Sequence, residues 1–458
     1  MRIFHPAAFR QKTPRRNGGP LFYLLTVLFA AAAFFYPACS SAAEPLTLDE
    51  VCRMAIANHE AVRIAVEGVS QAESNLGKAT SRLLPNLTAE GSFTRYSENK
   101  RSSTGFVIQP DDSTGVNLKL TQPLYSGGKE WSFRRQAQML IEKSRDGLEL
   151  SKESVVRLAA RAYFGVLKAA KEVEIKTAAL KRAVERRKVA AARFKVGEVT
   201  RSAVLRAEAE VAGAEAELTR AGADLTDARS LLKRVTGTGE TDIAVAEPEA
   251  LPPVEGEIEA LVTKAFEARL DYKQSLLDQK VASEGISYAK GNFLPSLRLE
   301  GLASYREQNP ETSFLLKESV SASVVLTYPI FEGFLRRSEL SEARSRFREA
   351  ELRRLGLKRD IEVEVRDAYN NVVSVKAVID SYRKQLEFAE EDYKMVFEQF
   401  KYGLATTVDV IDADTVLISA QRSLMNSTYD LELSKVELRY SLGVLLDDLR
   451  LNNTAANP

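Results

Sequence analysis

The sequence predicts a mainly α-helical chain with a membrane β part. Long antiparallel coiled-coil helices form an α-barrel, continued by a transmembrane β-barrel to which each chain contributes four strands. Three observations carry this. Proline is absent from Leu124 to Glu247 and from Ile330 to Asn457, and an interior proline would remove a hydrogen bond and kink a helix. Between Arg336 and Tyr402 apolar residues recur in a three-four alternation: Ile361, Val365, Ala368, Val372, Val375, Ile379, Tyr382, Leu386, Ala389, Tyr393, Val396 and Phe400. That stripe is the seam of a helix packed lengthwise on other helices. Finally, the chain repeats its own pattern about 200 residues on, an internal duplication.

The balance of 64 basic and 63 acidic residues gives no reason to expect a nucleic-acid partner. Arg2, Arg10, Lys12, Arg15 and Arg16 precede an apolar run from Leu21 to Tyr36 and then small residues, so residues 1–43 read as a secretory signal peptide cleaved after Ser41-Ala42-Ala43. A rival reading lipidates Cys39, but Tyr36 and Pro37 are poor substitutes for the residues that usually precede such a cysteine. No later stretch is apolar for long enough to be a transmembrane helix, so any membrane span must be built from strands. Cys39 and Cys52 are too few for a disulfide framework.

Repeat 1 covers 44–249. Leu46 to Leu84 has a helical pattern, with Thr47 and Glu50 as a capping box, and Pro85 ends it. Leu87, Ala89, Gly91 and Phe93 then alternate with polar residues, as do Val116, Leu118 and Leu120. These are two strands of a hairpin over 86–126, each with one wet face, around a polar loop from Ser97 to Ser113. A long helix comes next over 129–195, then a turn at Val196-Gly197-Glu198. A return helix runs over 202–235, and Thr236 to Gly256 is a linker. Repeat 2 covers 250–458 with the same grammar: a helix from Ile258 to Asn292, a hairpin over 296–331, a long helix over 336–402, a return helix over 407–442 and a loose tail. Leu84-Pro85-Asn86-Leu87 corresponds to Leu294-Pro295-Ser296-Leu297, and Phe194-Lys195-Val196-Gly197 to Phe400-Lys401-Tyr402-Gly403.

Strands of about ten residues suit a tilted membrane crossing, and an apolar face opposite a polar one suits a barrel wall around water. Four strands cannot close a barrel, and an open edge in lipid leaves backbone groups unpaired, so the chain must assemble with itself. Eight, twelve or sixteen strands are all allowed by length. At 1.5 Å per residue the long helices reach roughly 100 Å, and two shorter helices stacked end to end would match them. The alternative is a periplasmic coiled-coil adaptor or structural protein whose alternating segments form soluble hairpins.

With its duplicated helix-strand-strand-helix-helix order, Leu-Pro-x-Leu strand entries, Gln122-Pro123-Leu124 and Tyr328-Pro329-Ile330 exits and Val408-Asp409-Val410-Ile411-Asp412-Ala413, the sequence resembles the TolC-type outer-membrane efflux proteins. The resemblance spans essentially the whole chain beyond the leader. It implies a homotrimer in the outer membrane of a Gram-negative bacterium, with a twelve-stranded barrel and a long α-helical periplasmic tunnel. It also implies a periplasmic adaptor (a membrane fusion protein) and an inner-membrane pump of RND, ABC or MFS type, so that the chain would be the exit duct of a tripartite efflux or type I secretion system.

Asp409 and Asp412 lie three apart at the start of a return helix, hence on one face. By resemblance they match the acidic ring that narrows the periplasmic entrance. The residues alone also allow plain helix chemistry, with Thr406 as cap and acids favoured at a helix N-terminus. In the twin tip Ala203 and Arg206 take their places. Arg201 and Arg206 are candidate ion-pair partners for the two acids, a departure from the family pattern, which has an acid near Ala203 and a basic residue near Ala405. Phe194, Gly197, Phe400 and Gly403 mark the two tips as candidate adaptor contacts. Histidine, cysteine and methionine are too scattered for a metal site, no phosphate loop appears, and neither enzyme activity nor a cofactor is expected.

Overall fold

The computed structural model describes residues 45–238, 244–312 and 314–451, so the signal peptide, its cleavage site and Cys39 lie outside the described residues. Two helices, α1 (Leu48–Asn58) and α2 (Glu60–Ser81), lead into strand β1 (Asn86–Arg95). Short strands β2 (Lys100–Arg101) and β3 (Val107–Gln109) precede β4 (Asp112–Tyr125), and the long helix α3 (Lys129–Lys195) and return helix α4 (Arg201–Thr236) complete the first half. The second half runs α5 (Ile258–Ala268), α6 (Leu270–Gly291), β5 (Ser296–Asn309), β6 (Glu318–Thr327), α7 (Leu335–Lys401), α8 (Thr407–Leu442) and a terminal turn α9 (Leu445–Asp448).

Three expectations are corrected. The helical stretches from Leu46 to Leu84 and from Ile258 to Asn292 are not continuous. Each is broken by one extended residue, His59 (ψ 133°) and Arg269 (ψ 124°). The apolar spacing runs through both breaks, but the end of a return helix occupies the space there. Gly237 closes α4 with φ 66° and Gly443 closes α8 with φ 69°, a left-handed cap that glycine adopts without steric cost. A Cβ on Gly237 would stand 2.7 Å from Asn58 Cβ, and one on Gly443 2.9 Å from Arg269 Cα. Asn58 Nδ2 donates to the Thr236 carbonyl at 3.0 Å and Arg269 Nη1 to that of Ser441 at 3.2 Å, so each break supplies a donor to an end carbonyl left open by the helix. The 97–113 loop contains the small β2–β3 hairpin, closed by a turn in which Ser102 N–H donates to Phe106 O at 2.8 Å. The inner strands β4 and β5 extend to 14 residues each, because they pair with one another along their length.

The main sheet has the order β1-β4-β5-β6, antiparallel throughout. Residues directly opposite one another share a face. Leu87, Leu120, Gly301 and Ala322 stand in one row, and Ala89, Leu118, Ala303 and Val320 in the next. The intervening rows hold Glu90, Asn117, Ser304 and Ser319, or Thr121, Glu300 and Ser323. The four alternating patterns thus fall in phase and give the sheet one apolar and one polar side. The apolar side is bare in the single chain, with Val320 86 % exposed.

The long helices carry the packing. The α3–α4 and α7–α8 hairpins lie against each other through α3 and α8, and α6 fits between α3 and α7. The largest core gathers Val51, Cys52, Val156, Tyr163, Phe164, Leu232 and Leu445 from α1, α3, α4 and α9. A smaller one joins Leu261, Ile361, Val365, Leu438 and Leu442. The α7 seam residues are all buried or half-buried, while Leu352, Val363, Phe388 and Met395 on its other faces remain exposed. Part of the linker between the repeats is tied down: the Tyr163 hydroxyl donates to Ala246 O at 2.6 Å and Arg439 Nη2 to Pro252 O at 2.6 Å. Burial pushes the Cys52 thiol up to about 12, which keeps it protonated and unreactive.

Candidate functional site

The two helical tips are built alike. Gly197 (φ 83°) and Gly403 (φ 81°) turn the chain, with Gly197 N–H donating to Phe194 O at 3.0 Å and Gly403 N–H to Phe400 O at 3.2 Å. Beyond the turn, the starts of the two return helices differ. Thr406 and Asp409 form a complete capping box: the Asp409 carboxylate accepts from Thr406 N–H at 2.7 Å and from its hydroxyl at 2.8 Å, and Asp409 N–H donates back to Thr406 Oγ1 at 3.3 Å. The backbone N–H of Thr406, then its hydroxyl, holds the Asp409 carboxyl below the usual carboxylate range. Thr200 makes no such cap, since Ala203 stands at the third position. Asp412, one turn further on, is exposed.

Arg201 and Arg206 are exposed, and among the described residues neither forms an ion pair with Asp409 or Asp412 within the chain. Of the candidate contact residues, Phe194 and both glycines are exposed, but Phe400 is only 1 % exposed. It packs with Ala190, Ala207 and Val410. The Arg193 guanidinium stands 5.5 Å from its ring, and Arg193 Nη1 donates to its carbonyl at 2.9 Å. Phe400 also occupies a seam position, and that role prevails. Beside Phe194, the exposed apolar residues of the tips include Val196, Tyr402 and Leu404, the last two about four-fifths exposed.

The acid that does find partners is Asp414, 4 % exposed. Arg182 Nε donates to its Oδ1 at 2.6 Å and Arg186 Nη1 to its Oδ2 at 2.7 Å. Glu210 Oε2 lies 3.9 Å from Arg186, and the Arg182 guanidinium sits 5.5 Å from the Tyr393 ring. Tyr393 stacks on Phe397 at 5.8 Å, and burial pushes its hydroxyl up from the ordinary tyrosine value. One carboxylate on α8 therefore clasps two guanidiniums on α3, binding one hairpin to the other. Further along the same two helices Arg161 pairs with Glu437 at 2.7 Å and Lys168 with Asp430 at 2.5 Å. In the opposite sense Arg422 pairs with Glu172 at 3.1 Å. The signal that could have revealed this zipper is the spacing of basic residues by seven and then fourteen at Arg161, Lys168 and Arg182.

Among the described residues no group of histidine, cysteine and acidic side chains is placed to hold a metal ion, and no helix is long and apolar enough to cross a membrane. The family described as "Outer membrane efflux protein" matches residues 51–238 and 261–444. The chain is 27 % identical over 440 residues to Outer membrane protein TolC of Escherichia coli, covering 92 % of this chain and 87 % of that protein. It is 25 % identical over 395 residues to the Alkaline protease secretion protein AprF of Pseudomonas aeruginosa, covering 83 % and 80 %. In three dimensions it is similar to the Campylobacter jejuni CmeC outer membrane channel, with a TM-score of 0.75 at 19 % identity over 87 % of this chain and 86 % of that one. The fold, the tips and a match over most of the described length agree: the chain belongs to the outer membrane efflux protein family, and it serves as an outer-membrane exit duct for efflux or secretion.

Proposed function

We propose that three copies of the chain close a twelve-stranded transmembrane barrel and, beneath it, an α-helical periplasmic tunnel. The observation that carries this is the sheet: its rows are apolar on one side and polar on the other, and the outer edges of β1 and β6 have no strand partner among the described residues. In lipid each unsatisfied backbone group costs several kcal/mol, so neighbouring copies must supply the missing strands. Tyr125, Trp131, Tyr328, Phe331 and Phe334, all exposed near the helix-proximal end of the strands, fit an aromatic girdle at the membrane interface. Ile64 and Val66 on α2, together with the uncovered residues of α7, offer apolar surface for helix packing between copies.

In this reading the tips face the periplasm and meet an adaptor through Val196, Tyr402 and Leu404, and an inner-membrane pump supplies the energy. Asp409 and Asp412 from three chains ring the entrance and favour cations, while the Arg182–Asp414–Arg186 clasp holds each α7–α8 hairpin against α3. An adaptor protein would carry one helical hairpin beside β-rich domains, not two hairpins on a shared sheet.

Heat-modifiable migration of the outer-membrane fraction, followed by planar-bilayer recording, tests the proposal. An oligomer that dissociates on boiling and gives discrete conductance steps is expected. A processed chain that is soluble and monodisperse as one copy without detergent refutes it.

A further inference from the structure

The two joints where a return helix meets a broken helix have diverged. At the first, a neutral amide, Asn58, reaches the end of α4. At the second, one guanidinium holds three elements together. Arg269 binds both oxygens of Asp271 on α6 (3.0 and 2.6 Å), Glu364 on α7 (2.6 Å) and the Ser441 carbonyl of α8 (3.2 Å). Against this cluster α3 presents Glu153, which is buried at 5 % exposure. The charged groups around Glu153 are Glu149 on its own helix, paired with Lys152 at 2.7 Å, Asp271 and Arg269 at the break, and Asp447 on α9. Close by on α8 and α9, Arg439 is engaged with Asp448 at 3.1 Å. Burial, then the charge of Asp271, pushes the Glu153 carboxyl up to about 7, against the pull of Arg269. The equivalent position on α7 is Arg359, exposed, so this buried acid belongs to one copy alone.

We propose that this junction is a proton-sensitive hinge: when Glu153 ionises, its buried charge competes for the Arg269 guanidinium and loosens the hold of Arg269 on the C-terminal end of α8. With Glu153 neutral, Arg269 is shared between Asp271 and Glu364 and is free to bind the Ser441 carbonyl. With Glu153 charged, a third carboxylate, itself only 5 % exposed, competes for the same cation and repels the half-buried Asp271. The strain falls on the joint because Gly443 and Arg269 are already in tight contact there.

Hydrogen exchange on the purified full-length assembly in detergent, corrected for intrinsic rates, tests the hinge at pH 6, 7 and 8. Ionisation of Glu153 rises from about one-tenth to about nine-tenths over that interval. Peptides covering 258–272 and 438–449 should exchange several-fold faster at pH 8 than at pH 6 in the wild type. They should stay at the pH 6 level in Glu153→Gln and in Glu153→Leu, while the first joint, residues 55–61 and 232–237, shows no rise from pH 6 to pH 8. A wild type that shows no rise, variants that rise with it, or an equal rise at the first joint would overturn the proposal. Bilayer currents from the same preparations keep the two readings apart: their absence at every pH counts against the duct, and exchange alone decides the hinge.

Discussion

Asparagine at position 414 is the most informative perturbation of the clasp. Asp414→Asn keeps the shape of the side chain and removes its charge, leaving Arg186 almost wholly buried with Glu210, at 3.9 Å, as its nearest acid. Breaking a buried pair by deleting one partner costs about 3–5 kcal/mol. Arg182 is partly exposed, so solvent screens its share, and the low end, about 3 kcal/mol, applies. Since about 1.4 kcal/mol is a factor of ten, the ratio of clasped to unclasped hairpins should fall by about a hundredfold. Single-channel recording reads this as a shift from closed to open dwell times. The effect should be strongly non-additive with Arg186→Met, because in the double variant no charge is stranded. Asp414→Asn currents indistinguishable from wild type, or effects that add to within about 0.5 kcal/mol, would rule the clasp out.

Gly443→Ala forces a left-handed residue to carry a Cβ, worth about 1–2 kcal/mol, and adds a clash with the Arg269 backbone. The melting temperature of the assembly should fall, whereas Gly213→Ala, in open space within α4, should hold or raise it, and equal effects would contradict the joint. The Asp409 carboxyl titrates below its unfolded value, so its capping contribution is complete above about pH 4 and is lost as pH falls through the folded value. Exchange across 406–412 should therefore rise on acidification below pH 4 in the wild type and lose that dependence in Asp409→Asn. Replacing Asp409 and Asp412 together by alanine should raise conductance or weaken cation selectivity in planar bilayers, and unchanged currents would remove the ring.

The long helices could be read residue by residue because what makes them is local. A proline-free run and a stripe repeating every three or four residues declare themselves within one turn, and α3 begins at Lys129 and ends at Lys195 as the spacing predicts. The two-faced character of the strands was equally visible in the alternation around Leu87, Leu118, Leu299 and Val324. The breaks at His59 and Arg269 were not, since the apolar spacing continues through them and the cause is a helix end arriving from about 170 residues away. Asp414 escaped for the same reason. Beside Asp409 and Asp412 it looks like one more surface acid, and its partners lie 228 and 232 residues earlier on a helix of the other hairpin.

Periodicity, turn residues and the duplicated order belong to the sequence, because backbone sterics and side-chain spacing act between near neighbours. Which hairpin lies against which, that β4 borders β5, that Phe400 is interior and that a single arginine closes the second joint all depend on contacts between distant segments. Those contacts arise from shared burial and shared charge, which no single stretch of the chain contains. Only the assembled helices bring Arg182, Arg186 and Asp414 within hydrogen-bond reach, and only there does an ordinary acid become a clasp.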